Sequence, residues 1–343
     1  MGEALILGIE SSCDETSASV VRNGGEVLSN IVSSQVSQHR PFGGVVPELA
    51  SRSHLEAIIP VLREALDTAG ARLRDMDAIA VTQGPGLLGC LLIGLTSAKA
   101  LSVALDKPLV AVNHLHAHAA SVAVEGGVEV PFIALVVSGG HTTLFLVRTL
   151  TEFEVLGTTR DDAAGEAFDK GAKALGLGYP GGAEIDRLAK SGDPSKIRFP
   201  RPLADTDTLW FSFSGLKTAL AYGIERDGPP DAGELPHVCA GYQEAIVDSL
   251  IGKSLLAVRK TGVKNFAITG GVACNSRLRE KAAEVFKREN VRLAIPSPSL
   301  CTDNAAMIAA LGFHLFKEGR IAPPEVSAFS TSRVKISRGE TRF

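Results

Sequence analysis

Short apolar runs recur along the chain, each closed by small or polar residues, and they alternate with longer stretches whose apolar positions repeat every three or four residues. "ALILGIE" leading through "SSCDET" into "SASVV" predicts a β-hairpin with a hydroxyl-lined tip, Ser11 to Thr16. "PFIALVVSGGHTTLFLV" repeats the design, with a turn at Gly139 and Gly140 and a second strand entered through Thr142 and Thr143. Between the two, the pattern predicts a helix starting near Pro47, a strand over "DAIAVTQ", the turn "GPGLLG", a helix through Lys99 and a strand "PLVAV". From about Asp161 to Val258 the periodicity is mainly helical, broken at "YPGG" and "RDGPPDAG". Strand–turn–helix units return with "NFAITGGVACNSRLREKAAEVF" and "VRLAIPSPSLCTDNAAMIAALGFHLF". This alternation specifies a layered α/β architecture with weak internal duplication, not an all-helical bundle. Periodicity ends after Ile321, and the Pro-, Ser- and Arg-rich tail is expected to be mobile at its end.

A chain of 343 residues exceeds the usual size of a single core, so two domains around a cleft are expected. A formal charge of −3 gives no global attraction to nucleic acid, so any such partner needs a local basic patch or a second protein. The five cysteines (13, 90, 239, 274, 301) are odd in number and never form a CxxC pair, which argues for free thiols in a reducing compartment. The N-terminus lacks the basic and long apolar regions of a secretory signal, and the run "GLLGCLLIGL" reads as too short to span a bilayer. A cytoplasmic location is the expectation.

"VNHLHAHAA" places three of eight histidines within five residues. With Asn113 as N-cap, a helix sets His114 and His118 one turn apart on one face, able to reach one ion, while His116 points elsewhere. Leu115 stands where an HExxH protease needs its glutamate. A third ligand must come from distant sequence; Asp303 is the candidate, and it reads equally well as the N-cap of the last helix. In "VSGGH", Val137 to His141, two glycines after a strand let backbone N–H groups turn toward phosphate or carboxylate oxygens, unless the pair is simply a tight turn. "ITGGVACN" offers Gly270 and Gly271 as a surface for a flat base, with Asn275 to hydrogen-bond ribose or base. Glu166 to Lys170 and Asp169 to Lys173 have the spacing of a solvated helix face; alternatively, the "YPGG" turn brings Asp169 and Asp186 together toward a polar ligand. "KIRFPRP", with Trp210 and Lys217 nearby, mixes base-stacking and phosphate-binding residue types on what is equally a surface loop.

The ordered set "GIESSCDETSASVV", "GGVVPELASRSH", "GPGLLGCLLIGLTSAK", "NHLHAH", "LVVSGGHTTL", "DDAAGEAFDKGAKALGLGYPGG", "FSFSGLKT", "GGVACNSRLR" and "CTDNAAMIA" resembles the tRNA N6-adenosine threonylcarbamoyltransferase family (TsaD), bacterial branch, formerly called glycoproteases. The resemblance runs from about Leu5 to Phe316. It implies an actin/Hsp70/sugar-kinase-like (ASKHA) α/β fold, duplicated in two lobes with the active site between them. The expected division is residues 1–112 plus about 303–325 for the N-terminal lobe, and 113–302 for the C-terminal lobe, with a helical insertion over about 161–258 and a mobile tail over 326–343. It further implies that His114, His118 and Asp303 hold one divalent metal ion per subunit, Fe2+ or Zn2+, with His116 standing where many relatives carry Glu.

The implied reaction, a step of t6A biosynthesis, moves the L-threonylcarbamoyl group from threonylcarbamoyl-AMP to N6 of adenosine 37 in tRNAs reading codons that start with A. By the same resemblance Val137, Ser138, Gly139, Gly140, His141, Asp169, Gly182, Asp186 and Asn275 contact the adenylate, and the cleft takes ATP, ADP or AMP. Acyl transfer also calls for a base toward a weakly nucleophilic aromatic amine, and Glu15 in the first hairpin tip is the candidate for that or for positioning. The implied partners are tRNA, a small non-catalytic paralogue (TsaB) and a P-loop ATPase (TsaE), or alternatively a second copy in a homodimer. Two rivals share the fold. A phosphotransferase using ATP is disfavoured by "ESSCDET" where the sugar kinases carry a DxGTT-like pattern, and a non-catalytic scaffold paralogue predicts loss of metal ligands that this chain retains.

Overall fold

A computed structural model describes residues 3–331. In the first half, β1 (Leu5–Glu10), β2 (Glu15–Arg22) and β3 (Glu26–Ser34) form an antiparallel meander. The chain then passes through α1 (Val36–His39), α2 (Pro47–Ala69), β4 (Ala78–Gly84), α3 (Leu88–Leu105), β5 (Leu109–Asn113) and α4 (His114–Ala120). The second half repeats the scheme with β6 (Phe132–Val137), β7 (Thr142–Thr149) and β8 (Glu152–Thr158). Helices α5 (Ala164–Ala174), α6 (Gly181–Ala189), α7 (Ser214–Asp227) and α8 (Leu235–Thr261) precede β9 (Asn265–Thr269), α9 (Ser276–Arg288), β10 (Arg292–Ala294), α10 (Pro298–Cys301) and α11 (Ala305–Lys317).

The duplication is explicit in the strand order. The sheets run β3-β2-β1-β4-β5 and β10-β9-β6-β7-β8, and in each the meander pairs antiparallel while the two later strands add in parallel. Both sheets are covered on two faces, which explains why β1 and β6 are apolar at nearly every position. Ile6 of β1 packs with Met307 and Ile308 of α11, while Leu7 and Ile9 pack with Ile58 of α2 and Leu95 of α3. In β6, Leu135 faces Ile246 of α8, whereas Phe132, Ala134 and Val136 face Leu115 and Ala119 of α4. Helix α11 approaches β1 so closely at Gly8 that a Cβ there would run into the Ala305 carbonyl, so only glycine fits.

Three features depart from the sequence pattern. Strands β3 and β8 had no clear apolar signature; they are sheet edges, half solvated, and so lack the contrast that marks buried strands. The run read as too short to span a bilayer extends into an 18-residue helix, α3, of mean hydropathy 1.8, long and apolar enough to do so by length and composition. Its Cys90, Leu91, Leu95 and Ala98 are buried where it packs on β4 and α2, while Leu88, Leu92 and Val103 on the other side are exposed. The expected tail divides: Val326 and Ala328 pack against the first half's core and the Phe329 N–H donates to Gln83 O, while residues 332–343 lie outside those described.

Candidate metal and adenylate site

The strand–turn units of both halves open onto one cleft of about 1160 Å³. On the first side, the hairpin tip between β1 and β2 is fastened from α2: Thr16 Oγ1 donates to His54 Nδ1 (2.7 Å), and His54 Nε2 donates to Cys13 O (2.9 Å). This fully buried imidazole holds the tip that presents Asp14 and Glu15 to the cleft.

The histidine segment folds as its spacing predicts. The Asn113 side chain caps α4 by accepting the N–H groups of Leu115 and His116, and the next turn sets His114 and His118 edge to face, with ring centroids 4.6 Å apart. Asp303 arrives from the loop ahead of α11. His118 Nε2 lies 2.9 Å and His114 Nε2 3.7 Å from its Oδ1, and one ligand atom from each residue falls within 4.8 Å of the others. Asp303 does not cap α11: the neighbouring Asn304 side chain accepts the Met307 N–H, which leaves the carboxylate free to face the histidines. His116 turns the other way and stacks on Phe153 at 4.2 Å, where burial, and then Arg320, push it down to about 4 and keep it neutral.

Sequence reasoning missed Glu10. This fully buried carboxylate closes β1 and accepts from the Ser12 N–H (2.5 Å), the Thr82 hydroxyl (2.7 Å) and the His114 Nδ1–H (3.0 Å). It thereby fixes the ring so that Nε2 faces Asp303, the arrangement that tunes metal-bound histidines. Its signal was a charged residue ending an otherwise buried apolar strand. The negative charge here is dense: burial opposes ionisation of His114, yet Glu10 and Asp303 push it up to about 9. Burial and then the charges of Asp303 and Asp14 push Glu15 up to about 9. Two imidazoles and a carboxylate, with the buried Glu10 behind His114, would fit a divalent cation at the edge of the cleft that His114 and Asp303 line.

A sequence model described as TsaD, tRNA N6-adenosine threonylcarbamoyltransferase, matches residues 26–310. The chain belongs to this family. The tRNA N6-adenosine threonylcarbamoyltransferase of Syntrophus aciditrophicus is 54% identical over 328 residues, covering 95% of this chain and 96% of its own. Among solved structures, full-length HypF in its phosphate- and nucleotide-bound form aligns over 92% of this chain and 56% of its own, with a TM-score of 0.64 at 15% identity. A ROK hexokinase from Thermus thermophilus aligns over 92% of this chain and 99% of its own, with a TM-score of 0.50 at 15% identity. These likenesses establish the two-lobe ASKHA-type fold.

In this chain Ser138, Gly139, Gly140, His141, Asp169, Gly182, Asp186 and Asn275 all line the cleft that His114, Asp303 and Glu15 also line, with His118 buried behind them. Val137 is the exception, because as the last residue of β6 it buries its side chain in the core of the second half. Asp169 accepts the Gly181 N–H at 2.7 Å across the "YPGG" turn, and Asp186 accepts from Ser276 Oγ at 2.7 Å, so both carboxylates also brace their own surroundings. The expected Glu166–Lys170 ion pair forms at 2.9 Å. Asn275 caps α9 through its Oδ1 and donates from Nδ2 to Gln243 at 2.7 Å, which leaves one amide proton and one lone pair for a ligand. The "KIRFPRP" segment is largely committed elsewhere, since Arg201 pairs with Asp248 at 2.6 Å and Lys196 contacts His237 at 3.0 Å.

Proposed function

We propose that the chain transfers the L-threonylcarbamoyl group of threonylcarbamoyl-AMP to N6 of adenosine 37 in tRNAs that read codons beginning with A. The observation that carries this reading is the meeting, in one cleft, of a His114–His118–Asp303 donor set with an uncharged turn of glycine amides. In the reaction N6 attacks the carbamoyl carbon, the bond from that carbon to the phosphate oxygen breaks, AMP leaves, and one N6 proton is lost. His114, His118 and Asp303 would hold a divalent ion, iron or zinc, which would supply positive charge near the carbonyl and phosphate oxygens as they become more negative.

The Ser138 and His141 amides close the turn on each other, which leaves the backbone amides of Gly139 and Gly140 to orient the phosphate, and Asp169, Gly182, Asp186 and Asn275 line the adenosine wall. Glu15, protonated at neutral pH when its pKa is about 9, fits a hydrogen-bond donor that positions the acyl group better than it fits a base. A cytoplasmic location fits the tRNA substrate and is supported by the free thiols. Work with a small paralogue (TsaB) and a P-loop ATPase (TsaE), or as a homodimer, is supported by helices α2 and α3. These pack together and expose Leu55 with Ile59 and Leu88 with Leu92, each pair one turn apart. A partner would also supply the basic surface that a chain of charge −3 needs for tRNA.

The test incubates the protein with unmodified tRNA and fresh threonylcarbamoyl-AMP, with and without the two partner proteins, and follows threonylcarbamoyladenosine by nucleoside mass spectrometry. Product that His118→Ala abolishes supports the reading. No product from folded, metal-loaded protein under any partner condition overturns it.

A further inference from the structure

Two of the five cysteines, Cys274 at the cleft and the buried Cys301, have no part in the chemistry above. Cys274 ends the short 3-10 turn Gly271–Cys274, is exposed, and lines the cleft wall. Cys301 ends α10, is buried, and stands two residues ahead of Asp303. Helix α10 packs directly on the turn, and Arg279 ties the two segments together. Its Nε donates to Ala273 O at 2.6 Å, while its Nη2 donates to Pro296 O at 2.8 Å and reaches Cys301 Sγ at 3.4 Å. The Cys301 thiol beside it, and then the Arg279 guanidinium, hold Cys274 down to about 7 against the effect of burial. An accessible thiol beside a cation, with a second thiol behind it, has the layout of an attacking and a resolving cysteine.

We propose that Cys274 and Cys301 form a peroxide-oxidisable dithiol whose disulfide straps the turn carrying Asn275 to the segment carrying Asp303. The Cys274 sulfur attacks one oxygen of hydrogen peroxide, the O–O bond breaks, one water leaves, and Cys274 becomes a sulfenic acid. The Cys301 sulfur then attacks the Cys274 sulfur, the S–O bond breaks, and the departing hydroxide takes the Cys301 proton as a second water. The two thiols lose two electrons and two protons, and the peroxide is reduced to two waters. The bridge draws the sulfurs to about 2.05 Å, which pulls Cys301 off its contact with Pro296 O and shifts the chain leading to Asp303. Oxidation therefore lowers transfer, and dithiothreitol restores it. That consequence rests on the transferase reading, whereas the bridge itself does not.

The experiment treats reduced full-length protein with sub-millimolar hydrogen peroxide, alkylates the remaining thiols, digests with trypsin and measures both linkage and transfer. Tryptic peptides 265–277 and 293–317 carry the two cysteines. The expected result is these two peptides joined, separable by dithiothreitol, with transfer lowered several-fold in step. Cys274→Ser forms no such link and, relative to its own untreated rate, resists the peroxide dose. Cys301→Ser leaves a Cys274 sulfenic acid that dimedone traps. A Cys274 sulfinic acid beside an unmodified Cys301, linkage of Cys301 to another cysteine, or no oxidation at all would overturn the proposal. Linked peptides with unchanged transfer overturn the regulatory consequence, and linked peptides in a protein whose reduced form transfers nothing leave the dithiol standing and sink the transferase reading.

Discussion

The two hairpin tips that meet across the cleft share a topology and differ in charge. The first, between β1 and β2, is bordered by Glu10, Asp14 and Glu15 and lies beside His114 and Asp303. The second, between β6 and β7, holds Ser138, Gly139, Gly140 and His141, and burial, followed by the charges of His114 and His118, pushes His141 down to about 4 so that it stays neutral. One tip is acidic, as the proposed cation would need, and the other is uncharged and leaves the Gly139 and Gly140 amides for the proposed anion. A duplicated scaffold thus supplies opposite electrostatic roles by changing a handful of residues at the turn while keeping the same strand pairing.

The strongest way to break this comparison is to remove a ligand from the proposed cation site on the acidic side. His118→Ala deletes one of three converging ligand atoms, and transfer is expected to fall on the order of 10³-fold, because a Lewis acid contributes several kcal/mol at such a centre. Metal content and single-turnover product formation, measured together, check it. A variant that loses the ion and keeps its rate would mean that the acidic tip does not work through a cation.

On the amide side the corresponding change is steric. Gly270, beside the second tip, has φ +91°, and a Cβ there would run into the Val137 carbonyl. Gly270→Ala is expected to cost about 2–4 kcal/mol through strain and overpacking, seen as a lower denaturant midpoint. An unchanged midpoint would show that the β6–β9 junction gives way easily.

Glu10→Gln sharpens the contrast without deleting a ligand. The amide keeps the shape but loses the charge that orients His114, and metal affinity is expected to fall about 10- to 100-fold while the second half stays intact. Competition titration with a chelator reads this directly. An unaltered affinity would reduce Glu10 to a structural hydrogen-bond acceptor.

How far the sequence spoke differs between the same regions. Strands buried on both faces announced themselves as unbroken apolar runs, and the Asn113 cap with its HxxxH spacing placed the histidines correctly. The edge strands β3 and β8 were silent because half-solvated strands carry no such run. Asp303 read as a cap or a ligand from sequence; the cap went to Asn304, one residue along, a choice set by backbone direction that spacing alone does not encode. Glu10 and His54 went unread because their partners lie at sequence separations of 104 and 38 residues. Long-range side-chain partnerships leave no local pattern.

The smallest effect concerns how each half is braced. The first tip hangs on a His54 pushed down mainly by burial, whereas α9, which begins at Asn275, is tied to α8 by charge. Glu244 accepts from Arg277 at 2.7 Å and Lys281 at 2.5 Å, and Lys281 also reaches Asp248. Burial works to raise the Glu244 pKa, but the hydrogen bonds from Arg277 and Lys281 outweigh it and hold the carboxyl down to about 2, below its ordinary 4.5. Between those values the unfolded chain binds a proton that the folded one refuses, so this contribution is complete above pH 4.5 and drains away as pH falls toward 2. Glu244→Gln is expected to lower stability at pH 7 by about 1 kcal/mol, as for a partly solvated ion pair. Its melting temperature should approach that of the parent as pH falls through this window, because the parent alone loses the ionised contact. Metal affinity, measured on the same samples at pH 7, is expected to stay fixed, since His114, His118 and Asp303 belong to elements that Glu244 does not touch. Parallel melting curves at every pH, or a fall in metal affinity, would mean that the two halves are not braced independently.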